Sequence, residues 1–352
     1  MTGWDREYLA NKDEYLKLFD NVMQKENERN VEFLEKRIAK TILGRKFAVA
    51  VNSGTDALHF SLIVNNIGPG DEVLVTNFSW ISSASVVSMV GATPVFCDVD
   101  LETNHMSIDS VKRMYSDKVK AIIYPHLFGN ISDMQYIQKF CEEKNIKLIE
   151  DACQSFGANR DGQQAGTFGD VATLSFNANK PVAGLAGGGA FLTDNKEEAD
   201  LVRKLRRHGN NEVLGYNSKM LAINAEFINF RMDKMHEWQD IRFRIAKRYS
   251  ENLKNLPVII PHVDDIVNHC YHKYVIRLEN KETRDNLKKR LNANVHYPNP
   301  ISENPMYKSI LNRKDNCLNC QVICDTILTL PIHPYLTNDE IDKTCTSIMM
   351  TV

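Results

Sequence analysis

No apolar run in this chain approaches the roughly 20 residues that a bilayer-spanning helix needs. The opening segment MTGWDREYLANKDEYLKLF carries charges where a secretory leader has its apolar core. Neither a membrane span nor export is expected. Net charge is nearly absent too: 43 Lys and Arg against 45 Asp and Glu leave −2. That balance provides no broad field for nucleic acid or an anionic membrane, so any anion must be held by a local site. The 8 cysteines, at 97, 141, 153, 270, 317, 320, 324 and 345, include no second CxxC, and no histidine pair completes a four-ligand metal centre. Cys317, Cys320 and Cys324 recur at i, i+3 and i+7, one face of a helix, and are expected as buried thiols. No metal site is expected, and free thiols suit a reducing cytoplasm. There is no internal repeat and no low-complexity segment. The glycines at 184 and 187–189 precede a strand rather than a helix, which excludes the dinucleotide-binding fingerprint.

What the chain does have is length and pattern. Its 352 residues, 43% hydrophobic and 25% charged, suffice for a large α/β domain and a smaller one. The first ~40 residues read as helical, with Val31, Phe33, Leu34, Ile38 and Ile42 near one stripe. Short apolar strands then alternate with helical stretches: FAVAVNS, the helix GTDALHFSLIVNNIG closed by Gly, DEVLVTN, ISSASVVSMVGA, TPVFCDVD, VKAIIYPHLFG, IKLIEDACQ, VATLSF and GGAFLTD. Alternation over about 190 residues predicts a parallel-rich sheet covered on both faces, with ligands at the carboxyl ends of its strands. A long polar helix, MDKMHEWQDIRFRIAKRYSENLKNL, then leads to strands such as YHKYVIRLE and a helical tail. The expected division is a large domain over residues 1–235 and a smaller α+β domain over 236–352.

Candidate chemistry falls at those strand ends. VNSGTDALH sets Ser53, Gly54, Thr55 and Asp56 at a strand-to-helix turn, where free amides and the helix dipole can seat a phosphate. The same residues would also make an ordinary helix cap. Asp151 follows a very apolar strand, with Gln154 three residues on. A carboxylate there can pair with a protonated ring nitrogen, or simply cap the strand end. Lys180 lies in the polar, Gly-rich loop of LSFNANKPVAGLAGGGAFLTD, between two buried strands. A lysine beside a bound phosphate and a carboxylate can bond a carbonyl carbon and shuttle a proton, whereas a lone loop lysine is ordinarily solvated.

Taken in order along nearly the whole chain, AVAVNSGTDALHFSL, GDEVLVTNFSWISSASVVSMVGATPVFCDVD, HLFGNISDM, LIEDACQSFGA, GTFGDVATLSFNANK, GGGAFLTD, RRHGN, INFRM and LPIHPYL resemble the DegT/DnrJ/EryC1/StrS family of sugar aminotransferases. The resemblance implies a fold-type I pyridoxal-phosphate (PLP) transferase, α/β in class. Its large domain would carry a mostly parallel seven-stranded sheet flanked by helices. By the same resemblance Lys180 would hold the cofactor covalently and then act as acid and base. Asp151 would face the pyridine nitrogen, Gln154 the ring hydroxyl, and Trp80 would stack on the ring, unless it is a core tryptophan. Gly54, Thr55 and Ser175 would contact the phosphate. Asn229 would reach the phosphate of a neighbouring subunit, which implies a homodimer with shared active sites.

The implied reaction moves an amino group from L-glutamate to a nucleotide-linked keto sugar, with pyridoxamine phosphate (PMP) as the intermediate. A 4-keto-6-deoxyhexose is the expected acceptor, linked to dTDP (glucose series) before GDP (mannose series), giving a 4-amino-4,6-dideoxy sugar such as viosamine. Amination of a 3-keto sugar or a cyclitol stays open. A PMP-dependent sugar dehydratase on the same fold generally has histidine where Lys180 stands. A non-catalytic protein retaining the fold would not need Lys180, Asp151 and Gln154 together. NANKPVAGLAGGG departs from the family's usual His- or Tyr-led segment and Gly-Glu-Gly-Gly run, so sugar contacts near 177–189 do not transfer. The Gly/Pro-rich family opening is missing, and HYPNP at 296–300 resembles the sugar-nucleotide entrance only loosely. His208, His272 and His333 read as structural.

Overall fold

A computed structural model describes residues 3–24, 28–42 and 44–352. The N-terminal stretch forms helices Gly3–Ala10, Lys12–Gln24 and Glu28–Thr41. Leu34, Ile38 and Ile42 share one face at four-residue spacing and are buried. Phe33 lies about 100° off that face and is 58% exposed, contrary to the stripe expected for it.

The strands Phe47–Val51, Glu72–Thr76, Thr93–Cys97, Val119–Pro125, Lys147–Asp151, Val171–Ser175 and Gly189–Thr193 all join one sheet. Their order in space is 47–51, 189–193, 171–175, 147–151, 119–125, 72–76 and 93–97. An eighth strand, Arg313–Lys314, pairs parallel with Thr93–Cys97 at the edge. It corrects the seven-stranded expectation: two polar residues from the far end of the chain carry no periodic signal. Gly189–Thr193 runs antiparallel to both neighbours, and the other pairings are parallel.

Central strands are apolar throughout because both faces are covered. Leu74, Ile122 and Leu148 enter one core with helix residues Leu34 and Ile38. Val73, Val75, Ile123 and Ile149 enter the other, with Leu58 and Phe60 of helix Gly54–Val64. That helix ends sooner than its sequence suggests. Asn65 caps it and Asn66 turns the chain at φ 56, a left-handed conformation that asparagine tolerates, so no glycine is needed there.

Helix Ala222–Leu253 starts ahead of the polar segment expected from sequence and runs unbroken through residues 235–236. Beyond it, strands Tyr274–Arg277 and Ile327–Leu330 pair antiparallel, with helices Lys281–Leu291, Leu318–Thr326 and Asn338–Met349 around them. Cys320 and Cys324 are buried in helix Leu318–Thr326, and Cys317 is buried at its cap. The N-terminal helices close against this part: Arg6 donates to the Tyr335 carbonyl at 2.8 Å and pairs with Glu340 at 2.5 Å.

Candidate active site

Three strands end at one point. Val51 leads into Asn52–Thr55, Lys147–Asp151 ends on Asp151, and Val171–Ser175 ends on Ser175. The antiparallel strand Gly189–Thr193 begins beside them, with Gly188 bridged to Ser53. The sheet therefore gathers residues distant in sequence around a cavity of about 370 Å³. Gly54, Thr55, Trp80, Asp151, Gln154, Ser175 and Lys180 all line it.

One end of the cavity is the start of helix Gly54–Val64. Ser53 caps it by accepting from the Asp56 amide at 3.0 Å, so the capping reading of this turn holds as far as Ser53 is concerned. The amides of Gly54 and Thr55, in the first turn, have no carbonyl one turn back to bond, and with the helix dipole they favour an anion. The Thr55 hydroxyl meets Ser82 Oγ at 2.8 Å. A Cβ on Gly54 would stand 2.8 Å from the Ser175 Cβ and 3.1 Å from Cys153 Sγ, so only glycine lets the turn approach Ser175.

The Asp151 carboxylate is buried, accepting from Ser83 Oγ at 3.2 Å and from the Cys153 amide at 3.2 Å. Its backbone carbonyl accepts from the His126 amide at 3.1 Å. Gln154 is buried as well. Its Oε1 accepts from the Phe128 amide at 3.0 Å and meets His272 Nδ1 at 3.2 Å, while Nε2 donates to Tyr297 Oη at 3.0 Å. Phe128 takes φ 61, which aims its amide at that oxygen. Trp80 is 59% exposed and tilted against Tyr297, with ring centroids 6.3 Å apart. It is a wall of the pocket, not a core tryptophan.

Lys180 extends from the loop after Phe176, its amide donating to the Asn177 carbonyl at 2.9 Å. Loss of solvation holds its ammonium below the ordinary lysine range, against the opposing pull of Cys153, Asp151 and Cys270. A lysine so poised is more readily the free amine that attacks a carbonyl carbon. A phosphate-sized anion seat, a buried carboxylate, a flat exposed indole and a depressed amine are the parts that a PLP ring requires, and they share one cavity.

Asn229 is the exception among the predicted residues: it does not line this cavity. It sits in helix Ala222–Leu253, buried, its side-chain amide meeting no partner among the described residues. Ser83 and a second lysine, Lys273, also line the pocket without having stood out in the sequence, and so do His296 and Tyr297 of the HYPNP segment, which carried only a loose resemblance. Lys273 and Tyr297 come from the C-terminal part; for Lys273 the available signal was a lysine inside the strand-like run YHKYVIRLE, and for Tyr297 it was the HYPNP segment. His272, read as structural, lines the cavity too.

The family model of the DegT/DnrJ/EryC1/StrS aminotransferases matches residues 10–349. A relative from Acidithiobacillus ferrooxidans, UDP-N-acetyl-3-dehydro-alpha-D-glucosamine 3-aminotransferase, is 33% identical, covering 88% of this chain and 85% of its own. GDP-perosamine synthase of Escherichia coli O157:H7 is 28% identical, covering 99% of this chain and 95% of its own. NtdA of Bacillus subtilis, solved with bound PMP, superposes with a TM-score of 0.87 at 26% identity, covering 97% of this chain and 82% of that one. The chain belongs to the DegT/DnrJ/EryC1/StrS aminotransferase family and is a PLP-dependent sugar-nucleotide aminotransferase.

Proposed function

We propose that this enzyme aminates a nucleotide-linked 4-keto-6-deoxyhexose to the 4-amino-4,6-dideoxy sugar, with L-glutamate as donor. The dTDP-linked glucose derivative is the first choice and the GDP-linked mannose derivative the second. The observation that carries the reading is the meeting of Lys180, Asp151, Gln154 and the Gly54–Thr55 turn in one cavity.

PLP, held by these residues, would supply an aldehyde able to carry the amino group and a ring able to act as an electron sink. Lys180 holds the cofactor at rest and, once released, moves a proton between the cofactor side and the sugar carbon. Asp151, oriented by Ser83, keeps a proton on the ring nitrogen. Gln154 faces the ring hydroxyl, although its Oε1 is already committed to Phe128 and His272. Trp80 covers the ring. The amides of Gly54 and Thr55, with the Ser175 hydroxyl, take the phosphate.

Asn229 serves the phosphate of a second subunit in a homodimer. Its side-chain amide lies away from its own chain's cavity and is buried in the single chain, so this role requires it to turn outward where the subunits meet. Exposed apolar side chains beside the glycine loop, Leu185, Leu221, Phe19 and Met23, support a subunit contact there. We place the enzyme in the cytoplasm. Its cysteines are free, and no helix among the described residues is long and apolar enough to cross a membrane.

Amination at C3 is the second reading, favoured by the name of the Acidithiobacillus ferrooxidans relative. Incubation with L-glutamate and a panel of keto-sugar nucleotides separates the two. Nitrogen appearing at C4 supports the proposal, and nitrogen appearing only at C3 replaces it.

A further inference from the structure

Lys273 stands where two cavities meet. With Lys180 and Asp151 it lines the cofactor pocket, and it also lines a second cavity of about 480 Å³ that adjoins that pocket at Lys180. Trp4 and Glu7 of helix Gly3–Ala10, together with residues 329–335, form much of the second cavity's wall. The Lys273 backbone is fixed, its amide donating to the Phe128 carbonyl at 3.2 Å. No hydrogen bond or ion pair engages its ammonium among the described residues.

The surroundings repeat this pattern. His272 is buried with Nε2 unpartnered. Arg242 is 8% exposed and donates Nη1 to the Ile332 carbonyl at 3.0 Å and to the Tyr271 carbonyl at 3.3 Å, while its Nε has no partner among the described residues. The carboxylate in the second cavity is Glu7, which Arg231 already pairs at 2.6 Å. Asp151 offsets part of the charge of Lys180, and Arg242 feels only the already engaged Glu7 and the Cys270 thiol, whereas Lys273 has Lys180 and Arg242 as its charged neighbours and no carboxylate beside it. Withdrawing cations from water without partners opposes folding, and such groups in a cleft mark a binding site for an anion.

The chemistry at Lys180 narrows the choice of anion. The reacting carbon has to approach the Lys180 amine. In an amino-acid donor, the α-carboxylate is one bond from that carbon. The diphosphate of a sugar nucleotide lies on the far side of the sugar ring. A cation beside Lys180 is therefore placed for a carboxylate.

We propose that Lys273 is a substrate-recognising residue whose ammonium binds a carboxylate carried close to the reacting carbon, with Arg242 supporting the charge from the adjoining cavity. The inference rests on Lys180 being the reacting amine. The carboxylate has two possible sources: the α-carboxylate of the amino donor, or the acid group of a keto-uronate sugar.

Lys273→Met and Lys273→Arg, each as PLP-loaded full-length protein, separate these sources. In the first arm L-glutamate is titrated without sugar and the loss of the PLP absorbance is followed. In the second, PMP-loaded enzyme receives a nucleotide-linked keto-uronate or its 6-deoxy counterpart, which lacks the carboxylate. A donor carboxylate predicts a tenfold or larger rise in half-saturating L-glutamate for Lys273→Met, partly restored in Lys273→Arg. A sugar carboxylate predicts the same rise for the uronate alone. Shifts below twofold in both arms, with normal PLP absorbance, overturn the proposal. If the wild type itself leaves PLP unchanged with L-glutamate and every other amino donor, the aminotransfer reading fails, and this proposal fails with it.

Discussion

Gly54 and Ser175 lie so close that a Cβ on the glycine would come within 2.8 Å of the serine Cβ. The contact joins the start of helix Gly54–Val64 to the end of strand Val171–Ser175, and so sets the width of the anion seat. Gly54→Ala must push the two apart. Overpacking of this kind costs about 1–3 kcal/mol. The expected outcome is a PLP dissociation constant raised roughly tenfold or more, read by equilibrium titration of the apoprotein. An unchanged constant would show that the amides of this turn do not hold the phosphate.

Asp151→Asn keeps the shape of the side chain and its bond from Ser83 Oγ but removes the negative charge. Turnover is expected to fall by ~10²-fold or more, with a much smaller change in PLP affinity. Steady-state rates beside a PLP titration check this. A near-normal rate would remove Asp151 from its place under the ring nitrogen.

Burial, with Lys180 and Arg242 nearby, pushes Lys273 down to about 8 from 10.5. Below pH 8 both folded and unfolded chains carry the charge, and the folded state bears the full penalty. Between 8 and 10.5 the unfolded chain binds a proton that the folded chain lacks, so stability rises with pH. Lys273→Met should therefore raise the melting temperature of the cofactor-free protein at pH 7 by about 2 °C or more. The gain should shrink as the pH approaches 10.5. Thermal scans across that range test it, and a lower melting temperature at pH 7 would contradict it.

Glu150, one residue before Asp151, is fully buried. Its carboxylate accepts from His126 Nε2 at 2.8 Å and from the Phe168 and Gly169 amides at 2.7 and 3.2 Å. Burial pushes this carboxyl up, but these bonds hold it below its usual range. Glu150→Ala strands several buried donors at once and should destabilise the protein by about 3 kcal/mol or more, measured by chemical denaturation.

The sequence made the strand ends readable for local reasons. A Ser-Gly-Thr-Asp turn after an apolar run announces a cap, and Asp151 and Lys180 stand out as charges beside buried strands. Those signals span only a few residues each. Lys273 and Tyr297 could not be placed that way, because they reach the pocket through packing of the C-terminal part against the loop at Phe128. The crowding at Gly54 likewise depends on Ser175, about 120 residues away, and periodicity has no means of showing it. The short strand Arg313–Lys314 escaped notice because its polar residues are fixed by the sheet edge they join.

Two lysines line the cofactor pocket, Lys180 and Lys273, and the covalent bond is expected at Lys180. Borohydride reduction of the PLP-loaded protein, followed by proteolysis and mass mapping, decides between them. The pyridoxyl mass should appear on the peptide containing Lys180 and vanish in Lys180→Ala. Label on Lys273 in the wild-type protein, or none on Lys180, would contradict the account.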